Sequence, residues 1–115
     1  MGRMRLNLVV LRCGDVEASR RFYESLGVRF TSHAHGSGPE HYASESDDVV
    51  LELYPAEDGP SDSAGLGFVV EDLDAAAARL ERAGFAPGPI AERSWGTTFV
   101  VRDADGRRIE VQAGT

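Results

Sequence analysis

The sequence predicts an α+β fold: two copies of one strand–helix–strand–strand–strand module, their sheets pairing into one curved sheet around a cleft, with a helix covering each half from outside. Three observations predict it. Short apolar blocks of strand texture alternate with only two segments of helical spacing. Each helical segment opens on an aspartate and closes on a glycine. The whole order then recurs at a fixed offset. Asp15 and Asp72 are 57 residues apart, as are Val16 and Leu73, Tyr23 and Leu80, and Gly27 and Gly84. Glu52 and Glu110 are 58 apart, so one residue is inserted in a hairpin of the second copy. A copy that cannot bury its apolar face alone is expected to pack against its sibling.

The elements follow in order. Leu6 to Cys13 is a dense apolar run ending at Gly14-Asp15 and reads as a strand. Asp15 is a helix N-cap, because its carboxylate accepts from the free amides of the first turn. Glu17 adds charge that suits a helix N-terminus. Val16, Ser19, Phe22, Tyr23 and Leu26 share one helical face, and Gly27 is the residue that ends it. Val28 to Ala34 returns to strand texture, and His35-Gly36-Ser37-Gly38-Pro39 is turn chemistry. Glu40 to Glu45 and Val49 to Tyr54 are two more strands, joined at Ser46-Asp47-Asp48. In the second copy Gly65 to Glu71 is a strand. Asp72 caps a helix with Leu73, Ala76, Ala77, Leu80 and Ala83 inward, and Phe85 to Glu92 is an irregular strand broken by Pro87 and Pro89. Thr97 to Arg102 and Arg107 to Gln112 form a hairpin around Asp103-Ala104-Asp105-Gly106. Residues 1–115 make one domain, with a first module over about 5–55, a linker over 56–63 and a second module over about 64–113.

With 42% hydrophobic and 27% charged residues, the 115-residue chain has globular composition and enough length for one real core. A net charge of −7 argues against nucleic acid and anionic membrane surfaces; it suits a cationic ligand, and solubility alone explains it equally well. The apolar runs are too short to span a bilayer. Nothing at the N-terminus has the long apolar stretch of a signal peptide, and the single cysteine, Cys13, cannot close an intrachain disulfide, so the cytoplasm is the expected compartment.

Strand alternation sorts the chemistry. In Val49 to Tyr54, Leu51 and Leu53 share one face while Val50, Glu52 and Tyr54 share the other. In the last strand Ile109 and Val111 oppose Arg108, Glu110 and Gln112. With the more apolar sets under the helices, Glu52 and Glu110 project into the cleft from related positions. Two carboxylates in a partly dry cavity repel one another. A divalent cation, a basic ligand or neighbour such as Arg108 or Arg12, or a shared proton relieves this; solvent exposure does so equally well.

The run from Leu8 to Asp15, followed by Ser19, Phe22-Tyr23 and Leu26-Gly27, resembles the opening module of the vicinal oxygen chelate superfamily, which includes glyoxalase I, extradiol dioxygenases and bleomycin-resistance proteins. Val50 to Leu53, Phe68 to Asp74, Trp95-Gly96 and Asp103 to Glu110 resemble its later strands and closing hairpin, so the resemblance covers essentially the whole chain. It implies a homodimer with small-molecule clefts. Metal-binding members of that superfamily carry four ligands, and the last-strand pair falls on Glu52 and Glu110. The first-strand pair, seven residues before each capping aspartate, falls on Leu8 and Gly65, which have no side-chain donor. Zn²⁺, Ni²⁺ and Fe²⁺ favour three or four protein ligands including imidazole. The expectation is therefore a bleomycin-resistance-like protein that binds a small hydrophobic or cationic molecule in a dimer cleft, with no cofactor favoured. The alternative is a divalent-metal-dependent lyase, isomerase or dioxygenase using Glu52 and Glu110. A vestigial cleft in a plain interaction module is a third reading.

The remaining candidates are weaker. His41 has the chemistry of a general base or a hydrogen-bonding wall residue. His33 and His35 form an i, i+2 pair on one side of a strand, which reads as a fortuitous metal site, a ligand-contact patch or two exposed histidines near a hairpin tip. Trp95 is either a stacking wall or a rim residue packed on a partner subunit. Tyr54 and Phe99 line the cleft or belong to the core. Cys13 reads as a small buried apolar side chain.

Overall fold

In the computed structural model, residues 5–34, 38–46, 48–56 and 63–114 are described. His35, the 35–37 part of its turn, Asp47 and residues 57–62 of the expected linker lie outside them. The chain order is β1 (Leu8–Cys13), α1 (Val16–Ser25), β2 (Phe30–His33), β3 (His41–Ser44), β4 (Val50–Pro55), β5 (Leu66–Val70), α2 (Leu73–Arg82), β6 (Ala91–Arg93), β7 (Gly96–Arg102) and β8 (Arg108–Ala113).

Both helices begin and end in the same way. The Asp15 carboxylate accepts from the Glu17 and Ala18 amides, and Asp72 accepts from Ala75 N–H, which satisfies donors that a first turn leaves free. At the other end Gly27 and Gly84 have φ of +105° and +95°. The next amides then reach back, Val28 N–H to Tyr23 O and Phe85 N–H to Leu80 O, closing matched Schellman turns.

The expected single curved sheet is two four-stranded sheets. Hydrogen bonding orders them β1-β4-β3-β2 and β5-β8-β7-β6. In each sheet the strand before the helix lies parallel to the module's last strand, with Val10 opposite Glu52 and Gly67 opposite Glu110. The register also locates the inserted residue. Ala43 faces Glu52 across β3–β4, whereas Val100 faces Glu110 across β7–β8, so the extra residue lies in the β7–β8 turn. The irregular strand expected over Phe85 to Glu92 shrinks to β6. Pro87 and Pro89 have no amide to donate, and only Gly88 N–H reaches Val100 O.

One core joins the modules. Leu11, Cys13, Leu51 and Leu53 from the first meet Phe99, Val101, Ile109 and Val111 from the second, with Phe22, Tyr23, Leu73, Ala76 and Leu80 from the helices. Phe22 packs edge-on against Phe85, and Tyr23 lies against Phe68. A buried polar network crosses between the modules beside this core. Asp103 accepts from Tyr23 Oη at 2.6 Å and from Arg107 Nη1 at 3.1 Å. Arg107 also reaches Asp105 at 3.1 Å and Arg12 O at 2.7 Å, and Asp105 accepts from Gly14 N–H at 3.0 Å. Burial and the Asp103 carboxylate hold the Tyr23 hydroxyl far above its ordinary pKa.

Candidate active site on the open face of the sheets

Because the core takes one side of each sheet, alternation leaves a second side facing away from the helices. Residues opposed in register share a side. In the first module two adjacent rows cross all four strands. One is Arg12, Tyr54, His41 and His33; the other is Val10, Glu52, Ala43 and Thr31. The second module repeats them as Val69, Gln112, Thr98 and Ala91, and as Gly67, Glu110 and Val100.

The first row is a continuous stack. Arg12 Cζ lies 4.7 Å from the Tyr54 ring centroid. Tyr54 and His41 lie face to face, with centroids 4.1 Å apart and planes 9° from parallel, and His33 follows at 5.8 Å. His41 Nδ1 lies 3.4 Å from Pro39 O, and its Nε2 lies 3.9 Å from Glu52 Oε2. His33 Nε2 contacts Thr31 Oγ1 at 2.8 Å. Glu110 sits 4.0 Å from Arg108. Both glutamates are partly buried, with 22% and 26% of their side chains exposed. In the first sheet Leu8 and Val10 remain 46% and 39% exposed, and in the second Val69 is 71% exposed. Apolar side chains left uncovered in this way mark a surface suited to contact with another molecule.

Glu52, Tyr54 and His41 therefore lie on the open side of the first sheet and Glu110 on that of the second, although His41 is 3% exposed with its Nε2 edge beside Glu52. Phe99 belongs with the core, opposite Val111 in register and 1% exposed. Trp95, 57% exposed, stands at the β6–β7 turn, where Gln112 Nε2 from the open face donates to its carbonyl. Cys13 is buried, which raises its thiol pKa. The register adds Arg12, Val10, Val69, Thr98 and Gln112 to the open sides of the sheets, beyond the candidates that alternation singles out. The alternation of β1 already places Leu8, Val10 and Arg12 on one side, but only the register joins that side to Glu52.

A resident metal is poorly provided for. The register neighbours of Glu52 and Glu110 are Val10 and Gly67, while Leu8 and Gly65 lie one row further along the same side. None of the four offers a side-chain donor. Among the described residues no three His, Cys, Asp or Glu side chains are gathered closely enough to hold an ion. A groove of about 410 Å³ lies on the other side of the molecule, lined by Arg21, Glu24, Ser25, Arg79, Arg82 and Ala83. Arg79 and Arg82 stand in the last turn of α2, where cations suit the carbonyl end of the helix. No helix among the described residues is long and apolar enough to cross a membrane.

The whole fold has close counterparts among solved structures. TnmS3, an antibiotic binding protein from Streptomyces sp., superposes with a TM-score of 0.78 at 24% identity, covering 100% of this chain and 99% of that one. An integron cassette protein from the mobile metagenome of V. cholerae gives 0.71 at 28% identity, covering 100% and 98%. The oxidase ChaP-H1 gives 0.75 at 24% identity, covering 98% of each chain. A comparison with curated proteins finds no match. The family profile described as Glyoxalase/Bleomycin resistance protein/Dioxygenase superfamily matches residues 5–111. With its duplicated module, its two four-stranded sheets and that match over nearly its full length, the chain belongs to the glyoxalase/bleomycin resistance/dioxygenase superfamily.

Proposed function

We propose that this protein binds a small, largely apolar molecule on the open face of its sheets, in a cleft completed by a second copy, and does so without a firmly held transition metal. The observation that carries the reading is the open face itself. Leu8 and Val10 are left uncovered beside the Arg12–Tyr54–His41–His33 stack, and Val69 on the corresponding side of the second sheet. A mostly apolar wall with a few placed polar groups is the usual form of a small-molecule site. That a superposable protein, TnmS3, is an antibiotic binding protein supports the same reading. The second copy would cover apolar area that a lone chain leaves in water, and the cytoplasm is the compartment proposed for it. Of the two ligand classes expected, the hydrophobic one fits this face. The acidic balance of the chain does not extend to it, since alternation puts four arginines, Arg12, Arg93, Arg102 and Arg108, on the open sides of the strands against Glu52 and Glu110.

Metal analysis of the purified protein, combined with thermal melting against planar apolar probes, tests this. Binding to the native state alone raises stability by RT ln(1 + [L]/Kd). The expected outcome is a melting shift with a probe and none with Ni²⁺, Zn²⁺ or Mn²⁺. One firmly retained ion per chain, lost in Glu52→Gln and Glu110→Gln, would overturn it. That result would establish the second reading, a metal-dependent lyase, isomerase or dioxygenase. The one contact in its favour is the 3.9 Å approach of His41 Nε2 to Glu52.

A further inference from the structure

We propose that the ligand of the open face carries an anionic group, a carboxylate or an ionised phenol or enol on a planar apolar body, and that Arg12 is the residue that takes it. This rests on the reading that the open face is the ligand-binding side. In a chain of net charge −7, alternation puts four arginines and two glutamates on the open sides of the two sheets, with Glu92 of β6 turned the other way. Both glutamates already have a cationic or titratable neighbour, Glu52 in His41 and Glu110 in Arg108. The excess positive charge therefore stands open to a ligand.

Arg12 is distinguished from the other three, Arg93 included, by the aromatic ring beneath it. It is exposed, and among the described residues no carboxylate lies within ion-pair distance of it. Its guanidinium rests on the Tyr54 ring, which supplies attraction through the ring face. Its N–H donors remain available for the bidentate pairing that guanidinium makes with carboxylates. The backbone beneath it is fixed, because Arg12 O accepts from the buried Arg107. Val10 neighbours it on the same side of β1, so an apolar ring lying on Val10 would bring a carboxylate edge toward Arg12. Arg102, by contrast, donates to Gly106 O in its own turn, and Arg108 faces Glu110.

Three probes of one shape separate the possibilities: naphthoate, naphthamide and naphthylmethylammonium. They are titrated calorimetrically into the wild-type protein and into Arg12→Gln, with Trp95 emission as a second readout. A charge-assisted pair predicts that naphthoate binds about tenfold or more tightly than naphthamide, with the ammonium weakest. The preference should shrink as salt is raised, vanish in Arg12→Gln and survive in part in Arg12→Lys. Naphthamide should bind wild type and Arg12→Gln alike. Equal binding of all three probes, or tightest binding of the ammonium, overturns the anionic class while leaving the open face as a ligand site. A naphthoate preference that persists in Arg12→Gln overturns the role of Arg12. Binding of none of them removes the proposed function, and this inference with it. If Arg12→Gln melts as an unfolded chain, the wild-type probe series and its salt dependence decide the anionic class, and Arg12→Lys decides the residue.

Discussion

In the second module the β7–β8 turn folds Asp103, Asp105 and Arg107 into the core and ties them to Tyr23, Gly14 and Arg12 of the first. At the corresponding place in the first module, 58 residues earlier, Arg107 is matched by Val49, which is 38% exposed. Tyr23 and Ser19 of α1 are matched 57 residues later by Leu80 and Ala76 of α2, both fully buried in the apolar core. Two copies of one backbone thus solve the same packing problem differently, one with a charged network and one with hydrocarbon. The inserted residue of the β7–β8 turn accompanies the charged solution. Buried ion pairs often add little net stability, yet removing one partner is costly because the other is left unpaired. The lesson is that this network fixes how the modules dock more than it adds to their cohesion. The open faces differ as well: the first module's row is a cation–aromatic–imidazole stack, and the second's is Val69, Gln112, Thr98 and Ala91.

The sharpest way to break this comparison is Arg107→Leu. It strands Asp103 and Asp105, whose side chains are 0% and 5% exposed. The expected loss is about 3–5 kcal/mol in urea denaturation; a loss under about 1 kcal/mol would show the network to be dispensable. Leu80→Ala tests the hydrocarbon solution in the other helix and should cost about 2–5 kcal/mol by transfer and cavity terms.

Tyr23→Phe removes one hydrogen bond and leaves Asp103 its Arg107 contact, so about 1 kcal/mol is expected. The same residue gives a pH signature. Its folded pKa is raised, so folding withholds a proton that the unfolded chain releases above pH 10, the ordinary tyrosine value. The stabilisation is complete below that value and is lost as pH rises beyond it toward the folded pKa. Alkaline denaturation monitored by circular dichroism should therefore be shallower in Tyr23→Phe. Val49→Arg, at an exposed position, should change stability by no more than about 0.5 kcal/mol; a larger gain would mean that the first module can also build the charged solution.

The smallest effect is expected at the exposed Tyr42–Glu17 pair. The Tyr42 hydrogen bond, then Arg20, holds the Glu17 carboxyl below its ordinary range. Its contribution is present above the unfolded value and fades as pH falls through the folded one. An acid titration should show a slightly smaller slope in Tyr42→Phe.

Most of the fold was legible because its signals are local. Asp15 and Asp72 cap because a carboxylate is the right length to meet free amides, and Gly27 and Gly84 end helices because φ is positive there. Alternation alone put Glu52 and Glu110 opposite Leu53 and Ile109. What escaped depends on pairing between distant strands. Phe99 reads like a wall residue until its register with Val111 turns it inward. Arg12 reads as a counter-ion for a glutamate until Tyr54 is found beneath it. The Arg107 network spans up to 95 residues, and no short-range pattern announces such a reach. Separation of the two sheets was equally invisible, since unbonded edges leave no mark on composition.

The β7–β8 turn carries one more implication. The clamp that fastens the halves joins residues 103–107 to residues 12–23, and none of its members belongs to the stretch that links the modules along the chain. Continuity of the chain is then not what keeps the halves aligned. A protein cleaved between the modules should therefore persist as two associated fragments.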